Sequence, residues 1–338
     1  MGILGWWRKR SGGGSASGPD REIVDETIER MVQTTNPRLK LAKRFRAQLA
    51  PAVETALAYT GELVNSMPAV REASTAGWAS DAYMQAFFAT ADDLVQIFSR
   101  APVLRAQFEQ NPGLQEAFAI LGMRMTERKV LAKAMEGDQV RGEVTQTTVS
   151  FGDHRIRVCG PTEPELRAEL ERRLLDQLAL EGLSRVVADQ SNRTELEQER
   201  AVLKARLQML ERKGTGMRGL GGEAVAQADL ARLQSQLEEN TAKLGGIGGS
   251  AQALDRELEQ ICAVLRAPAE HLFVTSKRLR IDKLNVVVEQ GGTEFEFLLG
   301  QVPGNVPPEL RAFTLARFPR AELLPQDRLM QDAARLLG

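Results

Sequence analysis

The residues best suited to acid–base, nucleophilic or metal chemistry are few: two histidines, His154 and His271, and two cysteines, Cys159 and Cys262, in 338 residues. His154 follows Asp153 and lies five residues before Cys159, the ingredients of a base-activated thiol. Strand alternation, however, puts His154, Ile156 and Val158 on one face and Cys159 on the other, so the thiol and imidazole do not meet. Asp153, next to Gly152, is then a turn residue. His271 and Cys262 fall at the end of a long helical stretch and take structural roles. Two cysteines make neither a disulfide framework nor a metal motif, and two histidines leave little material for a zinc site or a His-based triad.

Carboxylates are numerous, but nearly all occupy helical surface positions beside basic residues. None forms a motif for glycoside or phosphoryl chemistry. Gly214, Gly216 and Gly219 spell G-x-G-x-x-G. That fingerprint works only after a strand and before a helix whose N-terminus receives a pyrophosphate; here a helical arm precedes it, and the glycines read as a turn. No catalytic residue, cofactor or metal ligand is assigned. An enzyme would need an unrecognised site in the helical part of the chain.

Charge and composition narrow the classes further. Lys and Arg number 44 against 45 Asp and Glu, a net charge of −1, which argues against a dedicated electrostatic nucleic-acid binder. An apolar fraction of 43% is ample for a core, and 5% aromatic residues suit helices better than an all-β fold. No stretch approaches the ~20 apolar residues of a spanning helix, and Met1–Arg10 carries its charges after its apolar residues, the reverse of a secretory signal. The expected location is cytoplasmic. Trp6, Trp7, Arg8, Lys9 and Arg10 have the composition of an interfacial anchor for an anionic membrane surface, on the inner face, or for a partner protein. They are tethered by the Gly/Ser-rich stretch that ends the 1–19 tail.

The elements expected to position these residues form a predominantly helical α+β chain. Residues 20–137 read as a helical bundle, with Asn36-Pro37, Ser80-Asp81, Ala101-Pro102 and Asn111-Pro112 as helix-start signals. Arg38, Lys40, Lys43, Arg44 and Arg46 give the second helix a basic face, read as solvated because acids lie nearby. From Glu143 to Val158 the period changes to alternation around Gly152-Asp153, read as a hairpin turn. β patterns return after Pro268, with Gly291-Gly292 between strand candidates at 285–288 and 293–299. Residues 138–161 and 269–325 are therefore expected to form one discontinuous antiparallel β domain, because an antiparallel insertion returns its two ends to the same place. Residues 326–338 read as a C-terminal helix.

The insertion, 162–268, reads as an antiparallel coiled-coil arm. Leu196, Leu203, Leu207 and Leu210 fit a heptad, with Arg200 intruding, and Leu230, Leu233, Leu237 and Leu244 answer on the return, with Asn240 at a seam position. Folding about 214–222 sets residues 224–244 against roughly 193–213. Gly245, Gly246, Gly248 and Gly249 break the return arm opposite roughly 187–192, where Asp189, Gln190, Ser191 and Asn192 are polar, and form a candidate hinge; Gly182 could bend the outgoing arm. A projecting rod offers no substrate cleft along its length. The expected function is therefore a protein–protein interaction or scaffold module, assembling with itself or in a larger complex. The alternatives are a peripheral membrane-associated protein and an enzyme with a site in the bundle. No motif is specific enough to name a family.

Overall fold

The computed structural model describes residues 21–136, 139–216, 223–247, 253–302 and 309–325. In chain order these hold α1 (Arg21–Thr34), α2 (Phe45–Asn65), β1 (Arg71–Glu72), α3 (Thr75–Ser80), α4 (Ala82–Phe87), α5 (Ala91–Arg100), α6 (Pro102–Gln110), β2 (Glu116–Glu136) and β3 (Gln139–Gly160). Then come α7 (Glu163–Gly216), α8 (Glu223–Ile247), α9 (Ala253–Arg266), β4 (Val274–Ile281), β5 (Thr293–Val302) and β6 (Glu309–Pro319). The chain is α+β, with one six-stranded sheet among the described residues. It divides into two units. The first contains Leu57–Leu175 and the described part of Leu272–Gly338; the second contains Arg21–Ala56 and Asp176–His271.

In the first unit the strands run β3-β2-β6-β5-β4, neighbours antiparallel, with the two-residue β1 parallel to β6. The outer strands are joined through 285–287: Val149 N donates to Asn285 O (2.8 Å), Val287 N to Thr147 O (2.8 Å) and Val288 N to Arg280 O (2.9 Å). The sheet thus curls until its edges meet. The device that curls it lies in β3, which slips in register opposite Ile120/Leu121, Gly122/Arg124 and Ala132/Ala134. Each slip adds a residue on the β3 side, and bulges confined to one strand bend it.

Alternation along β2 explains the core. Ala117, Ala119, Leu121 and Met123 are buried with Met84, Phe87, Leu94, Phe98, Leu104 and Phe108 of α4–α6, with Phe88 just after α4, and with Phe297 and Phe318 of the sheet. The Phe98 and Phe318 rings stack at 5.2 Å between centroids. On the other face, Phe118 and Ile120 pack against a cluster of Val64, Met67, Leu166 and Leu315. Both faces are therefore covered, as for any sheet flanked by helices on both sides. Helix starts follow local chemistry: the Ser74 side chain accepts from Gly77 N, and Thr90 with Asp93 forms a capping box.

In the second unit, Ile23, Ile28 and Met31 of α1, Leu49 and Val53 of α2, Leu178 and Val186 of α7 and Leu258, Ile261 and Leu265 of α9 are buried. Arg30 Nε meets Asp176 Oδ1 at 3.0 Å, and Asn36 Nδ2 donates to Glu257 Oε1 at 2.9 Å. Gly182 permits the contact of α7 with α9, since a Cβ there would lie 2.8 Å from Ile261 Cα. That replaces the bend expected at Gly182: α7 runs through it unbroken.

Several sequence expectations change. The bundle expected over 20–137 is divided between the two units, and its last stretch is the strand β2. The segment misleads because it is rich in helix-forming Ala, Leu, Met, Arg and Lys, and because its burial alternates only over 117–123 while most of 124–131 is exposed and charged. Asn111-Pro112 opens no helix and leads into β2, whereas Asn36 caps a short 3₁₀ turn, Pro37–Leu41, before Arg44 adopts φ +54° and α2 begins. Gly152-Asp153 is a bulge within β3, not a hairpin turn; β2 and β3 are joined by the two residues 137 and 138. Gly291 and Gly292 do take positive φ (72° and 68°), as a tight turn requires, but β5 pairs with β4 and not with 285–288. The single sheet uniting β3 with β4 and β5 is as expected.

Candidate functional site

The region the heptads single out lies in the second unit, on α7 beyond Asp189 and on α8. Among its seam leucines Leu203 is 6% exposed, and Leu196, Leu207, Leu230, Leu233, Leu237 and Leu244 are half-buried while the residues between them are mostly exposed. The side chain of Leu210 lies outside the described residues. Asn240 is 3% exposed, and its Nδ2 donates to Leu196 O at 3.2 Å and to Glu199 Oε2 at 2.8 Å. Folding residues 224–244 back on 193–213 places Asn240 at this level. Neither Asn240 Oδ1 nor Arg200 Nε, both buried, has a hydrogen-bond partner. Leu203 and Asn240 are thus the buried described residues of this region, and Asn240 is bonded to α7.

Toward the base, α8 continues through Gly245 and Gly246 to Ile247, and α9 begins at Ala253. Gly248 and Gly249 of the candidate hinge lie outside the described residues. Facing α9, Asp189 Oδ2 of α7 accepts from Gln260 Nε2 at 3.2 Å, beside a cavity of about 380 Å³ lined by Val186, Gln190, Arg193 and Arg256. Gly214 and Gly216 belong to α7, so a helix precedes the G-x-G-x-x-G stretch where a dinucleotide site needs a strand. Gly219, like Trp6, Trp7, Arg8, Lys9, Arg10 and the expected helix at 326–338, lies outside the described residues.

The four residues with chemical potential are placed in structural surroundings. His154 Nε2 donates to Phe87 O at 2.9 Å and its ring stacks on Phe88 at 4.7 Å; burial holds its pKa below the usual imidazole value. Burial pushes the Cys159 thiol up to about 12 and the Cys262 thiol up to about 11, so neither is a thiolate at neutral pH. Cys262 Sγ faces Gln48 O at 3.6 Å, and His271 Nε2 lies 3.4 Å from Arg185 Nη2. Asp153, at φ +50°, is held by Arg311 and Arg155, which bring its carboxyl down to about 2. No group of three or more His, Cys, Asp or Glu able to hold a metal occurs among the described residues. Nor is any described helix long and apolar enough to cross a membrane.

One feature of α7 escaped the leucine pattern. Leu180 (43% exposed), Val187 (57%), Val202 (50%) and Met209 (67%) lie in the open. At 3.6 residues per turn they fall within about 60° of one another, about 100–160° from Leu203 and about 140–180° from Leu207. Ser184, Ser191, Thr194, Gln198, Ala201 and Ala205 fill the same face, and all are exposed. No charged residue occupies it between Leu180 and Met209. A helical wheel drawn for uncharged positions, not for leucines alone, would have found it. Compared with protein-family models, curated proteins and solved structures, the chain gives no match.

Proposed function

We propose that this chain is a protein–protein interaction or scaffold module in which α7 and α8 form an antiparallel coiled-coil arm, used for assembly with itself or within a larger complex. The observation that carries this reading is the exposed uncharged stripe of α7. A helix in a solvated rod keeps charge on its outer face. Here the face turned away from the seam residues is apolar or neutral over about eight turns, and such a face is suited to another helix. The pairing of Asn240 with Leu196 and Glu199 supports the hairpin half of the reading. Sedimentation equilibrium tests the other half. Assembly is expected in the unaltered chain, alone or with a partner recovered from native extract, and Val187→Glu with Val202→Glu should abolish it without loss of helicity. Assembly unaffected by the two charges would remove the stripe, and with it the reading. The expected cytoplasmic location and membrane docking through Trp6 and Trp7 remain proposals that rest on composition, and no catalysis is assigned.

A further inference from the structure

The first unit carries a cleft whose charge nothing in the arm explains. Its volume is about 530 Å³, within the range of small-molecule sites, about 300–1,000 Å³. Four arginines line it and no carboxylate does: Arg100 ends α5, Arg155 and Arg157 come from the bulged part of β3, and Arg173 comes from the first turns of α7. His154 forms one wall, and Ile97 and Pro102 give it an apolar rim.

The four guanidiniums are not equally compensated. Arg155 is paired with Asp153 (2.9 Å) and Arg173 with Glu169 (2.8 Å), and Arg173 Nη1 also donates to Arg157 O (3.3 Å), which ties α7 to β3 across the cleft. Among the described residues Arg100 meets only the neutral Gln96 amide, at 3.3 Å, and the Arg157 guanidinium has no partner. Two exposed cations without a counter-charge, beside two whose carboxylates lie outside the cleft, repel one another unless an anion enters. Arginine's planar fork matches the oxygens of a phosphate two at a time, which a lysine ammonium does not. The apolar rim gives a ligand's uncharged part somewhere to rest.

We propose that this cleft binds a small molecule through a phosphate or pyrophosphate group, held chiefly by Arg100 and Arg157 and oriented by Arg155 and Arg173. The site is independent of the arm. Titration calorimetry of the full chain with inorganic pyrophosphate at low salt tests it. The expected result is saturable one-to-one binding, weakened roughly tenfold or more by Arg100→Gln and by Arg157→Gln. Arg280→Gln, an exposed arginine of β4 paired with Glu294, should leave it unchanged. Vesicles bearing phosphatidic acid separate the sources of the phosphate: binding that pyrophosphate displaces marks a lipid headgroup, and pyrophosphate binding without vesicle binding marks a soluble ligand. No saturable heat in the millimolar range would overturn the proposal. So would a loss as large with Arg280→Gln as with Arg157→Gln, which would reveal nothing beyond general charge.

Discussion

Leu203 and Val202 are adjacent in α7, yet the arm assigns them opposite duties, and truncating each to alanine separates those duties. Leu203 is 6% exposed and Val202 is 50% exposed. Removing a buried leucine to alanine loses its transfer energy and leaves a cavity, typically about 2–5 kcal/mol. A two-helix seam relaxes more readily than a layered core, so the lower part of that range, about 2–3 kcal/mol, is expected for Leu203→Ala. Val202 is half open, so Val202→Ala should change stability by no more than about 0.5 kcal/mol. Urea unfolding followed by far-UV circular dichroism, at a concentration too low for assembly, measures both. At higher concentration the ranking should reverse for association, with Val202→Ala weakening it more than Leu203→Ala. Equal stability losses at the two positions would mean that α7 does not present Leu203 to α8, and the seam would have to be abandoned.

Further outcomes follow from individual residues. Gly182→Ala forces a Cβ to within 2.8 Å of Ile261 Cα and should destabilise by about 1–3 kcal/mol, whereas Gly245→Ala, with open space around it in α8, should stabilise by up to about 1 kcal/mol; the same sign at both sites in thermal melts would contradict the close approach of α7 and α9. Asp153 has a folded pKa of about 2 against an ordinary 3.8, so its contribution to stability is complete above about pH 4 and is lost as pH falls toward 2. Asp153→Asn should remove that acid limb from a plot of urea midpoint against pH, and parallel plots for the two proteins would refute the assignment. Deleting Met1–Arg10 should lower sedimentation with anionic vesicles at low salt while leaving the melting curve unchanged; equal sedimentation of both chains would remove the membrane anchor. Replacing Gly245, Gly246, Gly248 and Gly249 with alanine should raise helicity and narrow the spread of spin-label distances from Met209 to the sheet; a narrow spread already present in the unaltered chain would rule out a hinge.

The sequence made the helices α7 and α8 legible because their leucines recur at helical spacing against a background of charge. Short sheet elements after Pro268 were legible through glycines and β-branched residues. β2 was not, since only its 117–123 stretch is built on alternating burial, the following residues are mostly exposed and charged, and its Ala, Leu and Met carry no strand signature. The bulge at Asp153 uses the same Gly-Asp chemistry as a hairpin turn, and only the neighbouring strand distinguishes them. Closure of the sheet through 285–287 depends on how strongly β3 is bent, a cumulative property of three bulges that no single residue announces. The arginine cleft assembles from Arg100, Arg155, Arg157 and Arg173, too far apart in sequence to form a motif.

The pairing of α7 with α8 is the claim on which the arm stands, and its most direct test is a distance. Glu195 and Lys243 line one groove beside Leu196, in helices that should pack with axes about 8–10 Å apart. Double electron–electron resonance, or continuous-wave broadening at short range, between labels on Glu195→Cys and Lys243→Cys should give one short, narrow distance, with Cys159→Ser removing the half-buried thiol and Cys262 shielded by its burial. A long or broad distribution would show that α8 does not lie along α7 in the register that Asn240 sets, and would contradict the account.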